Sequence, residues 1–228
     1  MSNDGQIIVK ELTSDSRWDH ENGYYWFSDT RRIGKLLAHY ELFKRVLSLP
    51  GDVVECGVFK AASLIRWLTF RSILESVHSR KVFAFDAFGK FPTTQVAGQA
   101  DKTFVQRFES DAGDGLSIEE MQKVLQYKSL AENIYYIQGD VIDTMPKWLE
   151  DNPHSRIALL HLDMDVYEPT KAALDHLWKR MVRGGIVVID DYNTVEGATR
   201  AVEEFLADKD IKLEKLGLNH TPSFFTKP

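Results

Sequence analysis

Two apolar runs that each stop on carboxylates set the tightest limit on how this chain can fold. One is Ile157-Ala158-Leu159-Leu160-His161-Leu162-Asp163-Met164-Asp165, and the other is Gly185-Ile186-Val187-Val188-Ile189-Asp190-Asp191-Tyr192. Each reads as a buried strand with acids at its carboxyl end. The segment between them has the length of one helical crossover, which makes the two strands parallel neighbours. Their acids then meet at one sheet edge, the edge where doubly wound sheets bind ligands.

The rest of the chain keeps the same rhythm. Strands are predicted over 52–56, 82–86, 134–138, 157–162 and 186–189, with weaker candidates at 211–216 and 222–226. Helices are predicted over 61–77, 117–129, 142–150, 168–182 and 195–207. This alternation predicts an α/β, doubly wound, Rossmann-like sheet with helices on both faces. Residues 1–28 are polar and then aromatic (Trp18, Tyr24, Tyr25, Trp26, Phe27) and read as an arm. Asp29-Thr30 can cap a helix that carries Ile33, Leu36, Leu37, Tyr40, Leu42, Phe43, Val46 and Leu47 at helical spacing. Residues 1–50 thus form an arm and helical cap within a single domain spanning 1–228. Residues 87–116 break the alternation with Gly89, Gly98, Gly113, Gly115 and Pro92, and read as a long loop serving as a lid. Ser117-Ile118-Glu119-Glu120 after it has the form of a capping box.

Bulk properties remove several classes. With 228 residues and a net charge of -6, the chain has no basic excess to neutralise phosphates, so nucleic acid is not an expected partner. Cys56 is the only cysteine, which forbids an internal disulfide and fits a cytoplasmic location. The first residues show neither a basic start nor an apolar core, so no signal peptide is expected. No apolar run approaches the roughly 20 residues that cross a bilayer, so no membrane association is expected.

The first strand turns into its helix through Glu55-Cys56-Gly57-Val58-Phe59-Lys60-Ala61-Ala62-Ser63. Gly57 lets the backbone approach a ligand, and the helix start offers free N–H groups to an anion. Ala61 and Ala62 stand where a dinucleotide fingerprint would place later glycines. The turn therefore suits a carboxylate, such as the methionine end of S-adenosylmethionine (SAM), better than a pyrophosphate. An ordinary strand-to-helix turn with a buried cysteine reads the same way. Asp86 ends the second strand, where an acid suits two ribose hydroxyls, although a solvated loop acid reads equally well.

One such Asp alone could be a helix N-cap, but Asp163, Asp190 and Asp191 together form a carboxylate cluster that needs a cation, and oxygen ligands favour Mg2+, Mn2+ or Ca2+ over zinc. Asp165 can contact substrate or cap the next helix. His161 shares a strand face with Asp163 and reads as a supporting partner, a base or a satisfied core histidine, the last being the simplest.

As a set, these residues resemble the class I SAM-dependent methyltransferases, and within them the macrocin O-methyltransferase (TylF-like) family. The segments that carry the resemblance are Gly51–Val58, Phe85–Pro92, Leu162–Thr170 and Gly184–Tyr192, in that order. The resemblance implies a seven-stranded sheet, mostly parallel, with an antiparallel last strand. It implies SAM held by Glu55, Gly57, Val58, Phe59 and Ser63, with Asp86, Ala87 and Phe88 near the ribose. Gly139, Asp140 and Val141 would lie beside the adenine, with Asp163 and Asp165 also at the cofactor, and Asp163, Asp190 and Asp191 would bind Mg2+. Catechol-type relatives carry a lysine three positions after the first metal acid; Val166 stands there, so Asp163 or His161 must take the proton. The implied activity is metal-dependent methyl transfer to a hydroxyl of a small glycosylated acceptor by a homo-oligomer. Two other readings stay open: a Mg-dependent phosphohydrolase using Asp163 and Asp165, and a non-catalytic ligand-binding protein.

Overall fold

The structure, a computed structural model, describes residues 17–228; the start of the expected arm lies outside them. Seven strands form one sheet: β1 (Asp52–Cys56), β2 (Val82–Asp86), β3 (Ile134–Gln138), β4 (Ile157–Leu162), β5 (Met181–Ile189), β6 (Glu214–Lys215) and β7 (Ser223–Thr226). Their order is β3-β2-β1-β4-β5-β7-β6. The first five are parallel, and β7 runs antiparallel to β5. The chain winds one way from β1 and the other way from β4, so a crevice opens beyond the carboxyl ends of those two strands.

Side chains alternate between the two faces as period 2 requires. Val53, Val82, Ala84, Ile186 and Val188 pack under α2 (Thr30–Arg45), α3 (Ala62–Leu74) and α5 (Ile118–Tyr127). Val54, Phe83, Phe85, Val187 and Ile189 pack under α6 (Val141–Asp151), α7 (Tyr167–Leu177) and α8 (Glu196–Leu206). The expected caps form: the Asp29 carboxylate accepts from Arg31 N, and Ser117 and Glu120 make a reciprocal capping box at α5. No helix among the described residues is long and apolar enough to cross a membrane.

Several expected boundaries move. The aromatic part of the arm is a helix, α1 (Arg17–Phe27). The helix predicted to reach 182 ends at Leu177 and passes through a 3-10 turn, because Met181 already pairs with Ile157 in the sheet. The strand candidate at 211–216 shrinks to Glu214–Lys215.

The expected long loop at 87–116 is the main correction, because it contains α4 (Gln99–Ala112). Gly98 and Gly113 bracket this helix, and Gly113 takes φ +70 at its end. Its apolar face is narrow: Val105 packs with Val96 and Val166, and Phe104 stacks on Phe108. Such a mostly polar helix between glycines reads as a loop in sequence.

A buried acid fastens it. Asp101 is only 4% exposed, and its Oδ2 accepts the Tyr167 N–H at 2.9 Å, at the start of α7. Gly197 lies so close that a Cβ there would sit 2.2 Å from the same oxygen. Ala97 N–H donates to Glu168 Oε1 at 2.9 Å beside it. Removing a buried acceptor leaves its donor unsatisfied at a cost of about 1–3 kcal/mol. Asp101→Ala is therefore expected to speed proteolysis within 93–116 and lower Tm, with Asp101→Asn milder. Equal cleavage rates for wild type and Asp101→Ala in limited proteolysis would exclude the fastening role.

Candidate active site

Strand register builds the site. Cys56 aligns with Leu162, and Leu162 with Ile189, so Gly57, Asp163 and Asp190 emerge side by side. The ladder runs on past the strands: Asp163 N–H donates to Cys56 O at 2.9 Å, and Asp190 N–H to Leu162 O at 3.0 Å. Gly57 has φ +87, and a Cβ on it would lie 1.8 Å from the Asp163 carbonyl oxygen. Only glycine allows that approach. A cavity of about 460 Å³ covers this edge and reaches from the Gly57 turn to the acids.

At one end of the cavity, Val58, Phe59 and Ser63 line the turn, with Asp86 and Ala87 beside them and Gly139, Asp140 and Val141 opposite. Ala61, at φ 64, takes a left-handed conformation, and α3 starts after it with no side-chain cap. The first N–H groups of α3 are thus open to an anion, and Ala62 and Ser63 border the cavity there. Asp86 clasps the turn: Oδ2 accepts from Val58 N at 2.6 Å and Phe59 N at 3.0 Å, and Oδ1 from Phe88 N at 2.6 Å. Oδ2 thus has both lone-pair sites taken, and a ribose hydroxyl would have to reach Oδ1, which accepts a single N–H. Asp140 caps α6, accepting from Ile142 N at 3.0 Å.

At the other end are the acids. Asp163, Asp190 and Asp191 each bring a carboxylate oxygen within 4.8 Å of the others. Burial and then the neighbouring Asp190 and Asp191 charges push Asp163 well up. Burial and then Asp165 and Asp190 do the same for Asp191. Burial and the charges of Asp163 and Asp190 raise Asp165 to about 7. Asp165 does not cap α7, whose N-cap is Val166; its backbone N–H donates to Asp191 Oδ2 at 3.1 Å. Asp190 is the exception: burial would raise it, but His161 and Lys35 hold it well below the usual range. Its Oδ1 is buried without a hydrogen bond. Three converging oxygens, two of them on acids whose ionisation burial and neighbouring charge oppose, fit a hard divalent cation.

Three expected contacts lie elsewhere. Glu55 and His161 are fully buried beneath the edge, and Phe88 packs in the core next to Tyr136; none of the three lines the cavity. Glu55 and His161 are register partners on one sheet face, so Glu55 Oε1 meets His161 Nδ1 at 3.0 Å. Trp67 Nε1 also points at Nδ1, at 3.4 Å, a longer contact than the carboxylate makes. His161 Nε2 sits 3.8 Å from Asp190 Oδ1, too long for a hydrogen bond and close enough for attraction. Burial lowers His161, yet the contacts to Asp190 and Glu55 outweigh it and leave the ring basic. His161 is thus a positioning residue behind Asp190, with no side-chain face on the cavity.

Three basic residues that sequence reasoning missed complete the wall: Arg32 and Lys35, one turn apart on α2, and Arg66 on α3. Lys35 Nζ is ion-paired to Asp190 Oδ2. The available signal was a polar residue, Lys35, placed on the apolar stripe of α2 one turn before buried His39. Removing one partner of a buried pair costs about 3–5 kcal/mol, and about 1 kcal/mol moves Tm by roughly 2–4 °C at this chain length. Lys35→Met is expected to lower the metal-free Tm by about 6 °C or more and to enlarge the Tm rise produced by Mn2+. Thermal melts with and without Mn2+ check this; an unchanged Mn2+ response would mean that Lys35 and the cation do not share Asp190.

Comparison with known proteins matches this geometry to a family. Among curated relatives, the demethyldecarbamoylnovobiocin O-methyltransferase of Streptomyces niveus is 30% identical over 175 residues, covering 75% of this chain and 64% of that protein. The mycinamicin III 3''-O-methyltransferase of Micromonospora griseorubida is 29% identical over 180 residues, covering 75% and 68%. The chain thus spans about two thirds of the length of these relatives. Among solved structures, a calicheamicin methyltransferase superposes with TM-score 0.69 at 22% identity, covering 96% of this chain and 87% of that one. The O-methyltransferase NovP gives 0.72 at 24%, covering 86% and 80%. Residues 27–227, from the end of α1 through β7, match the macrocin O-methyltransferase (TylF) family, and the chain belongs to it.

Proposed function

We propose that this chain is a SAM-dependent O-methyltransferase that methylates a hydroxyl of a small glycosylated acceptor, with Mg2+ or Mn2+ at Asp163, Asp190 and Asp191. The observation that carries this reading is the single cavity: an uncapped helix start and Asp86 at one end, three converging carboxylates at the other. Family membership supports the reaction class, and the relatives' names support a glycosylated natural product as acceptor. A phosphohydrolase has no support in that membership.

Bound SAM supplies a methyl group already activated on sulfur, and a bound divalent cation supplies charge that eases loss of a hydroxyl proton. This chain's residues do the placing. The N–H groups at the start of α3 and the Ser63 hydroxyl receive the methionine carboxylate. Asp86, Ala87 and the Gly139–Val141 segment bracket the nucleoside. Asp163, at the junction of the two ends, is placed to accept the acceptor's proton. Glu55 and His161 hold Asp190 in place from behind. Helix α4, fastened through Asp101, covers the cavity and limits water. Holding the hydroxyl in line with the methyl carbon supplies several kcal/mol of the barrier reduction. Assembly as a homo-oligomer is part of the proposal: Tyr25, Trp26 and Phe27 on α1 are 67%, 68% and 85% exposed, more aromatic surface than a lone helix ordinarily leaves in water.

EDTA is expected to abolish methyl transfer and Mg2+ or Mn2+ to restore it, while calorimetry still records binding of S-adenosylhomocysteine (SAH). Full activity in metal-stripped protein would remove the cation from the reading. Asp163→Asn keeps the shape and loses the basicity, and kcat is expected to fall by at least about 10²-fold. His161→Ala is expected to cost less. A more damaging His161 change, with Asp163→Asn still active, would move the proton to His161. Asp86→Ala is expected to weaken SAH binding, and unchanged affinity would remove Asp86 from the nucleoside site.

A further inference from the structure

Arg66 and Arg32 lack the partners that the other charged side chains of the cavity have. Both line it. Arg66 is half-buried on α3, one turn past Ser63. Among the described residues neither guanidinium makes a side-chain hydrogen bond or an ion pair. The nearby acids are already engaged: Asp190 holds Lys35, Glu55 faces His161, and Asp29 is gripped by Arg31 through two bonds of 2.7 and 3.0 Å. A partly desolvated guanidinium left unpaired is costly unless a ligand completes it. Its planar fork suits an oxyanion in two-bond geometry.

The placement points to the acceptor rather than to SAM. The groups that act electrostatically on Arg66 are Tyr24, Asp190, Arg32 and Glu55. These belong to α1, α2 and the acidic edge, not to the Asp86 and Gly139 end. Arg32 and Arg66 line the same cavity, and the Arg32 charge acts on Arg66. Beside a cluster of acids, neutralisation alone would bring each guanidinium onto a carboxylate, and neither is on one.

We propose that Arg66 and Arg32 form an oxyanion subsite beside the three acids, so that the natural acceptor is a sugar carrying a phosphate, diphosphate or carboxylate. The inference rests on the methyltransferase reading for the word acceptor, while the subsite itself can be tested without turnover.

The probes are inorganic pyrophosphate, D-glucuronate and neutral methyl glucoside, titrated into the full chain saturated with SAH and stripped of metal. Pyrophosphate or glucuronate is expected to bind, methyl glucoside to bind far less, and binding to weaken as salt rises. The tighter of the two anions assigns the group as phosphate or carboxylate. Arg66→Met is expected to weaken the anion at least about 10-fold, the scale of one charge-assisted contact. Arg66→Lys should restore part of it, and SAH affinity should stay at the wild-type value in both. Thermal melts of each variant confirm folding, and Arg32→Gln provides a second, more exposed variant whose folding is not in question. No anion binding to wild type, or equal binding to the Arg66→Met and Arg32→Gln variants, overturns the subsite. Loss of SAH affinity in Arg66→Met also overturns it, by placing the guanidinium on the cofactor carboxylate. Arg66-dependent anion binding with no methyl transfer to any anionic or neutral glycoside would keep the subsite and sink the methyltransferase reading instead.

Discussion

The mutual repulsion of Asp163, Asp165, Asp190 and Asp191 is the constraint that the rest of the site answers. At about 4 Å and an effective dielectric near 20, two like charges repel by about 4 kcal/mol. The sheet enforces the crowding, because β4 and β5 pair Leu162 with Ile189 and leave the next residue of each strand at one edge. Gly57 closes the third side against the Asp163 carbonyl, so the acids cannot relax toward β1. The chain supplies only partial compensation. Lys35 pairs with Asp190, His161 stands 3.8 Å from its other oxygen, and Asp163 and Asp191 remain pushed toward their neutral forms. That residual imbalance is what a divalent cation would relieve in the proposed reading.

Beneath the edge lies a buried polar row that would be expensive in isolation. Glu55, His161 and His39 are all fully buried, and His39 stacks on Trp67 with ring centroids 4.5 Å apart. Burial and the positive His161 ring hold His39 neutral. Its two ring nitrogens, Glu55 Oε2 and His161 Nε2 have no hydrogen-bond partner. Buried polar groups in this state oppose stability and restrict geometry at once. The row runs from His39 on α2 and Glu55 on β1 through His161, whose Nε2 stands 3.8 Å from the Asp190 carboxylate that Lys35 pairs with.

The parts of this architecture that sheet register determines were legible in the sequence. Continuous apolar runs located β1, β2, β4 and the second half of β5, because these are buried on both faces and bounded by turns or acids, whereas the edge strand β3 is half-exposed. The acids were legible for the same reason: position at a strand end fixes where a side chain emerges. Helix α4 was not, since Val105 and Asp101 are its only fully buried residues and glycines flank it. Glu55 was misplaced because the motif reading put it at the ligand, whereas its position inside β1 points it sideways at His161. Lys35 left a trace as a charged residue on the apolar stripe of α2, but Arg32 and Arg66 left none, because long side chains on two helices reach the edge from above and sequence spacing carries no record of which helices meet.

That asymmetry describes how labour is divided in the molecule. The reacting end is made of short carboxylates anchored by main-chain bonds of 2.9 and 3.0 Å, which leave little freedom. In the proposed reading the recognising end is made of Arg32 on α2 and Arg66 on α3, whose long stems can reposition their charges without disturbing the sheet. Substitutions on the cap can retune which acceptor is held, while the register that assembles Asp163, Asp190 and Asp191 stays fixed by the core beneath it.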